Sequence, residues 1–119
     1  MDILDTVFLD ELKLVMGEEL EDLFHAFFSD TEIQLDRLAS ALSRSDGENI
    51  RKTAHTLKGA AASVAAVALS QQFYQLECCG RDGQLAKAAL ELDTAWALFS
   101  KTRTALGQWQ HITFAVQPN

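Results

Sequence analysis

The side chains best suited to covalent chemistry in this chain are three histidines, His25, His55 and His111, and two adjacent cysteines, Cys78 and Cys79. A neutral imidazole is a nucleophile that can form a covalent intermediate with an electrophilic centre such as phosphorus. Only His55 has neighbours that suit this. Set on a helix at about 100° per residue, Ile50, Ala54, Leu57, Ala61 and Val64 cluster about one line and predict the buried stripe. His55 lies about 140° from that line, facing solvent. Gly59 and Ala62 follow it on the same face, Ala66 comes a further turn along, and Arg51, Lys52 and Lys58 flank it. Among the six glycines, Gly59 is read as the one inside a helix, where glycine costs about 1 kcal/mol relative to alanine. Small residues thus make a clearing around an exposed imidazole edged by cations, a surface on which another molecule's active site can close. Phosphoryl transfer, a reaction of positioning and charge stabilisation, fits such a clearing, with Lys58 and Arg51 able to meet phosphate oxygens. No glycine-rich phosphate loop accompanies the histidine, and no Mg²⁺ cluster stands near it. Any metal must come with the partner.

The other candidates carry less. His25 lies among Glu21, Asp22 and Glu32, which would repel a phosphate, so it reads as structural; His111 has no informative context. No metal site is expected, because the histidines lack i, i+4 pairing and Cys78-Cys79 lacks the two-residue gap of zinc sites. Adjacent cysteines seldom meet disulfide geometry, and no nucleophile elbow supports Ser/His/Asp hydrolysis. Phe28, at the rim of its helix's apolar stripe, serves core packing or an apolar docking patch beside His55, depending on which helices are neighbours.

The elements that must position His55 are helices. Pro118 is the single proline, and strong helix formers dominate. Glycines and short polar turns divide the chain into a first helix over about 5–16, a second over 18–44, a third over 48–65, a fourth over 68–79 and a fifth over 84–106. Gly80-Arg81-Asp82-Gly83 reads as a turn and Gly107 as the end of the last helix. Short links between long amphipathic helices predict an all-α fold, an antiparallel up-and-down four-helix bundle with a short additional N-terminal helix. Residues 1–107 form the domain, and 108–119, with Trp109, Ile112 and Phe114, a C-terminal tail.

With 119 residues the chain supports one core. No apolar run reaches the roughly 20 residues of a membrane span, and Met1-Asp2-Ile3-Leu4-Asp5 is acidic where a secretory leader is basic. A cytoplasmic setting is expected. The net charge of −7 argues against nucleic acid or anionic lipid as partners. That charge is uneven: up to Asp36 the acids face a single base, Lys13, whereas from Arg37 onward bases outnumber acids.

His55-Thr56-Leu57-Lys58-Gly59-Ala60-Ala61-Ala62 resembles the signature of histidine-containing phosphotransfer (HPt) domains of bacterial and plant phosphorelays. That signature runs His-x-Leu-Lys-Gly-Ser followed by small residues and a Gly-Ala pair. The likeness extends to the Leu76-Glu77 pair, the Asp46-Gly47 turn and the long acidic second helix, from about Leu4 to Leu106. It implies phosphorylation of His55 on Nε2, with Lys58 beside the phosphoryl group and Gly59 giving clearance. Arg51, Lys52, Ala62, Ala66 and Phe28 are the expected partner contacts. The implied partners are response-regulator receiver domains and a hybrid sensor histidine kinase, each receiver bringing its own aspartate and Mg²⁺. The chain itself would be a monomeric phosphocarrier with no bound cofactor and no autokinase activity. Ala60 and Ala65 depart from the usual serine and glycine; both are placed on packed flanks, where they affect helix approach rather than chemistry. The competing reading is a non-catalytic helical adaptor binding a signalling partner through the same face, a role for which the His55-Lys58-Gly59 set is unnecessary.

Overall fold

Five helices and no strand occur among residues 2–111, the residues that the structure, a computed structural model, describes. They are α1 (Thr6–Met16), α2 (Glu19–Ser43), α3 (Gly47–Ser63), α4 (Val67–Asp82) and α5 (Leu85–Gln110). Residues 112–119, the greater part of the expected tail, lie outside the described residues.

Local chemistry starts these helices where the sequence suggests. The Asp5 carboxylate caps α1 by accepting from the Phe8 N–H at 3.1 Å, and Asp46 caps α3 by accepting from the Asn49 N–H at 3.1 Å. Glu19, Glu21 and Asp22 in the first turn of α2 complement the positive end of its dipole. Each helix then turns an apolar stripe inward. The α3 stripe of Ile50, Ala54, Leu57 and Ala61, followed by Val64, is buried as the periodicity predicts. It packs in one core with Phe24, Phe27 and Leu35 of α2, Leu69, Phe73 and Leu76 of α4, and Phe99 of α5. The neighbour relations close a ring: α2 touches α3 and α5, and α4 touches α3 and α5, while α1 lies on α2.

Glycine is where the sequence reading needs correction. Gly80 is not in a turn; it is buried inside α4, which continues to Asp82. A Cβ on Gly80 would stand 2.6 Å from both the Arg51 nitrogen and the Gly47 oxygen, and one on Gly47 would stand 2.8 Å from the Gly80 oxygen. Two backbones meet here with no room for a side chain. Gly107 likewise does not end α5, which runs on to Gln110 and carries Trp109 edge-on to Phe24, with ring centroids 6.4 Å apart. Gly59 is therefore not the sole helical glycine.

The link after α3 holds a second surprise. The Ala66 N–H bonds the Ala61 oxygen at 2.9 Å and the Ala65 N–H bonds the Ala62 oxygen at 3.1 Å, the pair of bonds of a Schellman motif. Its left-handed position is Ala65, at φ +62°, where a Cβ costs about 1–2 kcal/mol. The departure at Ala65 thus acts on the backbone, not on helix approach. The matching position after α4 is Gly83, at φ +68°.

The crossing at Gly47 and Gly80 should tolerate no enlargement. Gly80→Ala is expected to lower unfolding stability by about 1–3 kcal/mol, because the clash is with backbone that cannot rotate away. Urea denaturation checks this.

Candidate functional site

Because Gly47 and Gly80 let α3 and α4 approach so closely, side chains one and two turns along reach across between them. His55 stands on the outer face of α3 with its side chain 64% exposed, and its Nδ1 lies 3.2 Å from Oε1 of Glu77 on α4. Lys58, one turn further along α3, places Nζ 2.9 Å from the same Oε1. Lys58 Nζ also sits 5.2 Å from the centre of the Tyr74 ring. The Ser70 hydroxyl donates to the Lys58 carbonyl oxygen at 3.0 Å, tying the start of α4 to the same turn of α3.

Glu77 is 20% exposed. The Lys58 hydrogen bond holds its carboxyl below the usual carboxylate value, with burial opposing and the His55 hydrogen bond adding to the lowering. An ionised carboxylate can only accept, so the imidazole proton is assigned to Nδ1. In the neutral ring the lone pair is then on Nε2, at the edge away from Glu77.

Gly59 follows one turn after His55, and a Cβ built on it meets nothing within 4 Å. Its fold does not require glycine, in contrast to Gly80. Ala62 is exposed on the same face. His55 therefore stands on a ridge formed by α3. On one side lies a groove of about 440 Å³ against α2, lined by Phe27, Asp30, Ile33, Arg37, Thr56 and Ala60 among others. On the other is a depression of about 330 Å³ that includes Phe8, Lys58, Ala62, Ser70 and Tyr74.

The remaining expected contacts divide. Arg51 is on the rim but engages Glu48 through two hydrogen bonds, at 3.1 and 2.6 Å, and Lys52 lies 3.9 Å from the same Glu48. The cations around His55 are thus locally compensated. Ala66 is not available to a partner: it is 0% exposed, because α3 ends at Ser63 and Ala66 becomes the N-cap of α4. Phe28 is not beside His55 either. It is 5% exposed and faces α5, with Phe99 at 6.1 Å and the Arg103 guanidinium 5.3 Å from its ring. His25 stands 3.6 Å from Glu21 on the same helix.

Sequence reasoning did not assign a role to Glu77 or Tyr74. One signal was present: Glu77 is the only acid between Glu48 and Asp82. A solitary carboxylate in the helix after a histidine and a lysine is a candidate partner for both. Tyr74 and the α2 groove carry no such mark, since their positions depend on helix register. Among the described residues, no group of three or more His, Cys, Asp or Glu side chains could hold a metal ion.

Comparison with known proteins adds three findings. The family model described as the Hpt domain matches residues 22–111. The crystal structure of histidine-containing phosphotransfer protein B (HptB) from Pseudomonas aeruginosa PAO1 is similar with a TM-score of 0.86 at 32% sequence identity, covering 92% of this chain and 96% of that one. No curated protein matches.

Two outcomes follow from the geometry. Gly59→Ala should raise stability by about 1 kcal/mol, since the new methyl meets open space and helix propensity improves; thermal or urea unfolding measures it. For Glu77, the lowered carboxyl means stabilisation that is present above its ordinary value of 4.5 and lost as pH falls through the depressed value. Glu77→Gln should therefore cost roughly 1 kcal/mol near neutrality, and the gap to the wild type should close in acid, read by unfolding curves across pH.

Proposed function

Because the chain belongs to the histidine-containing phosphotransfer (Hpt) family, we propose that His55 is the group that receives and passes on the phosphoryl moiety. The protein is a histidine phosphotransfer protein of two-component phosphorelays. The observation that carries the assignment to His55 is its Nδ1 contact with Glu77 at 3.2 Å on an otherwise exposed ring. That contact keeps the proton off Nε2 and fixes the plane of attack.

The step balances without a general base. The Nε2 lone pair attacks the phosphorus of a receiver's aspartyl phosphate, the Nε2–P bond forms as the P–O bond breaks, and the aspartate leaves as carboxylate. The proton stays on Nδ1, so the product is a phosphoimidazolium whose positive charge faces the ionised Glu77. Lys58 turns from Glu77 to the phosphoryl oxygens, and the bare Cα of Gly59 leaves room for the receiver's loops. The divalent metal, Mg²⁺, belongs to the receiver. The chain is a carrier without autokinase activity, exchanging phosphate with receivers and, through one, with a hybrid sensor kinase.

Receiver docking is read as straddling the α3 ridge, its rim entering the groove and the depression on either side. Ile33 is half-exposed between Asp30 and Arg37 along the groove, and the two charges would select receivers of complementary sign. Arg51, Lys52 and Ala62 complete the contact. The closed ring of neighbours and the two- and three-residue links between helices support reading α2 to α5 as an antiparallel up-and-down four-helix bundle, with α1 as the short additional N-terminal helix. No helix among the described residues is long and apolar enough to cross a membrane. We read the protein as a cytoplasmic monomer, alongside its receivers.

The test is incubation with a receiver charged by acetyl phosphate and Mg²⁺, read by intact mass. Wild type should gain one acid-labile phosphoryl group, and His55→Gln, with its helical signal intact, should gain none. Label retained in the variant refutes the assignment, and binding of the receiver with no mass gain in the wild type points to an adaptor.

A further inference from the structure

Lys58 has two supports, and only one of them is a charge. Its ammonium lies 2.9 Å from Glu77 and 5.2 Å from the Tyr74 ring centre, within the range at which a cation is attracted to an aromatic face. The same Glu77 oxygen also holds His55 Nδ1. In the phosphotransfer reaction described above, on which this inference rests, the two partners of Glu77 must part. The imidazole becomes cationic and needs the carboxylate more, while the ammonium must move to the phosphoryl oxygens. A lysine released from its carboxylate would otherwise swing freely into water on four rotatable bonds and lose its alignment with the phosphoryl group.

The depression beside α3 shows what prevents this. Tyr74 lines it together with Lys58, Ala62 and Ser70, one turn before Glu77 on α4. Tyr74 is 44% exposed, so it is not there to fill the core. We propose that Tyr74 is a positioning residue for the transfer step, its ring holding the Lys58 ammonium within reach of the phosphoryl group when Glu77 turns to the charged imidazole. The support comes from the ring face rather than the hydroxyl, and it survives the change of charge at His55. Tyr74 touches neither phosphorus nor His55 and acts only through Lys58.

The experiment is single-turnover transfer from a phosphorylated receiver that labels the wild type, followed against receiver concentration. Tyr74→Leu should slow the saturating rate by about 2- to 5-fold, the factor expected for loss of a partly exposed cation–π contact, at unchanged half-saturating concentration. Tyr74→Phe, which keeps the ring, should match the wild type. In a Lys58→Ala background Tyr74→Leu should cause no further loss, since it has no lysine left to position. A spectroscopic mark accompanies this: the Lys58 ε-methylene protons should be shifted upfield by the ring in wild type and Tyr74→Phe, but not in Tyr74→Leu.

Wild-type speed in Tyr74→Leu overturns the proposal, as does a Tyr74→Phe variant as slow as Tyr74→Leu. So does a loss confined to half-saturation, which would make Tyr74 a docking contact, or a full additional loss in the Lys58→Ala background. A wild-type chain that takes no phosphoryl group on His55 brings down the phosphotransfer role of His55 itself, and the role of Tyr74 with it; a labelled wild type with an unaffected Tyr74→Leu removes only the role of Tyr74.

Discussion

The approach of α3 and α4 at Gly47 and Gly80 sets everything on the His55 face. With backbone atoms of the two helices closer there than any Cβ would allow, the register along the pair is fixed. Positions further along α3 then meet positions progressively earlier in α4. Arg51 backs onto Gly80, His55 and Lys58 meet Glu77, Lys58 also meets Tyr74, and its carbonyl meets Ser70. A slip of one residue would rotate Glu77 about 100° off this line and leave two polar side chains without the carboxylate between them. Packing and chemistry are thus the same constraint, since what seats α4 on α3 also orients the imidazole.

Two glycines inside helices show why part of this was legible and part was not. Gly59 and Gly80 both weaken their helices in propensity, and sequence alone cannot tell their purposes apart. At Gly80 the missing side chain is required by a neighbouring helix, and at Gly59 it is required by nothing in the chain. Read as punctuation, Gly80 and Gly107 ended helices that in fact continue, because a glycine in a turn and a glycine at a close crossing look alike in one dimension. Ala65 errs in the opposite direction: it holds a left-handed conformation that its identity does not advertise.

What could be read locally was read well. The α3 stripe and the exposure of His55 both depend on residues within a turn or two of one another. Features that need the register between helices stayed hidden. Glu77 appeared only as one of a pair in a familiar pattern, Tyr74 not at all, and Phe28, open to core packing or to a patch beside His55, is turned by its helix into the core toward α5. Ala66 failed for a smaller reason: carrying α3 past Ser63, where it ends, put a buried capping residue on an exposed face.

In the proposed reaction, charge is what lets such a site work in both directions. The chain carries −7 overall, and around His55 the cations Arg51, Lys52 and Lys58 each already have a carboxylate nearby. The ridge therefore presents the imidazole in a nearly compensated setting, and in the proposed reaction neither a phosphorylated nor an unphosphorylated aspartate site is strongly repelled. In the proposed reaction Glu77 stabilises the imidazolium without taking its proton, because a carboxylate is intrinsically a weaker base than an imidazole. A protonated phosphoimidazole is the form from which phosphorus leaves most readily, while a neutral ring with its proton on Nδ1 is the form that accepts it. One hydrogen bond maintains both forms. Neither direction then needs a proton to be found or discarded, and the direction of net transfer is left to the relative stability of the partners' aspartyl phosphates.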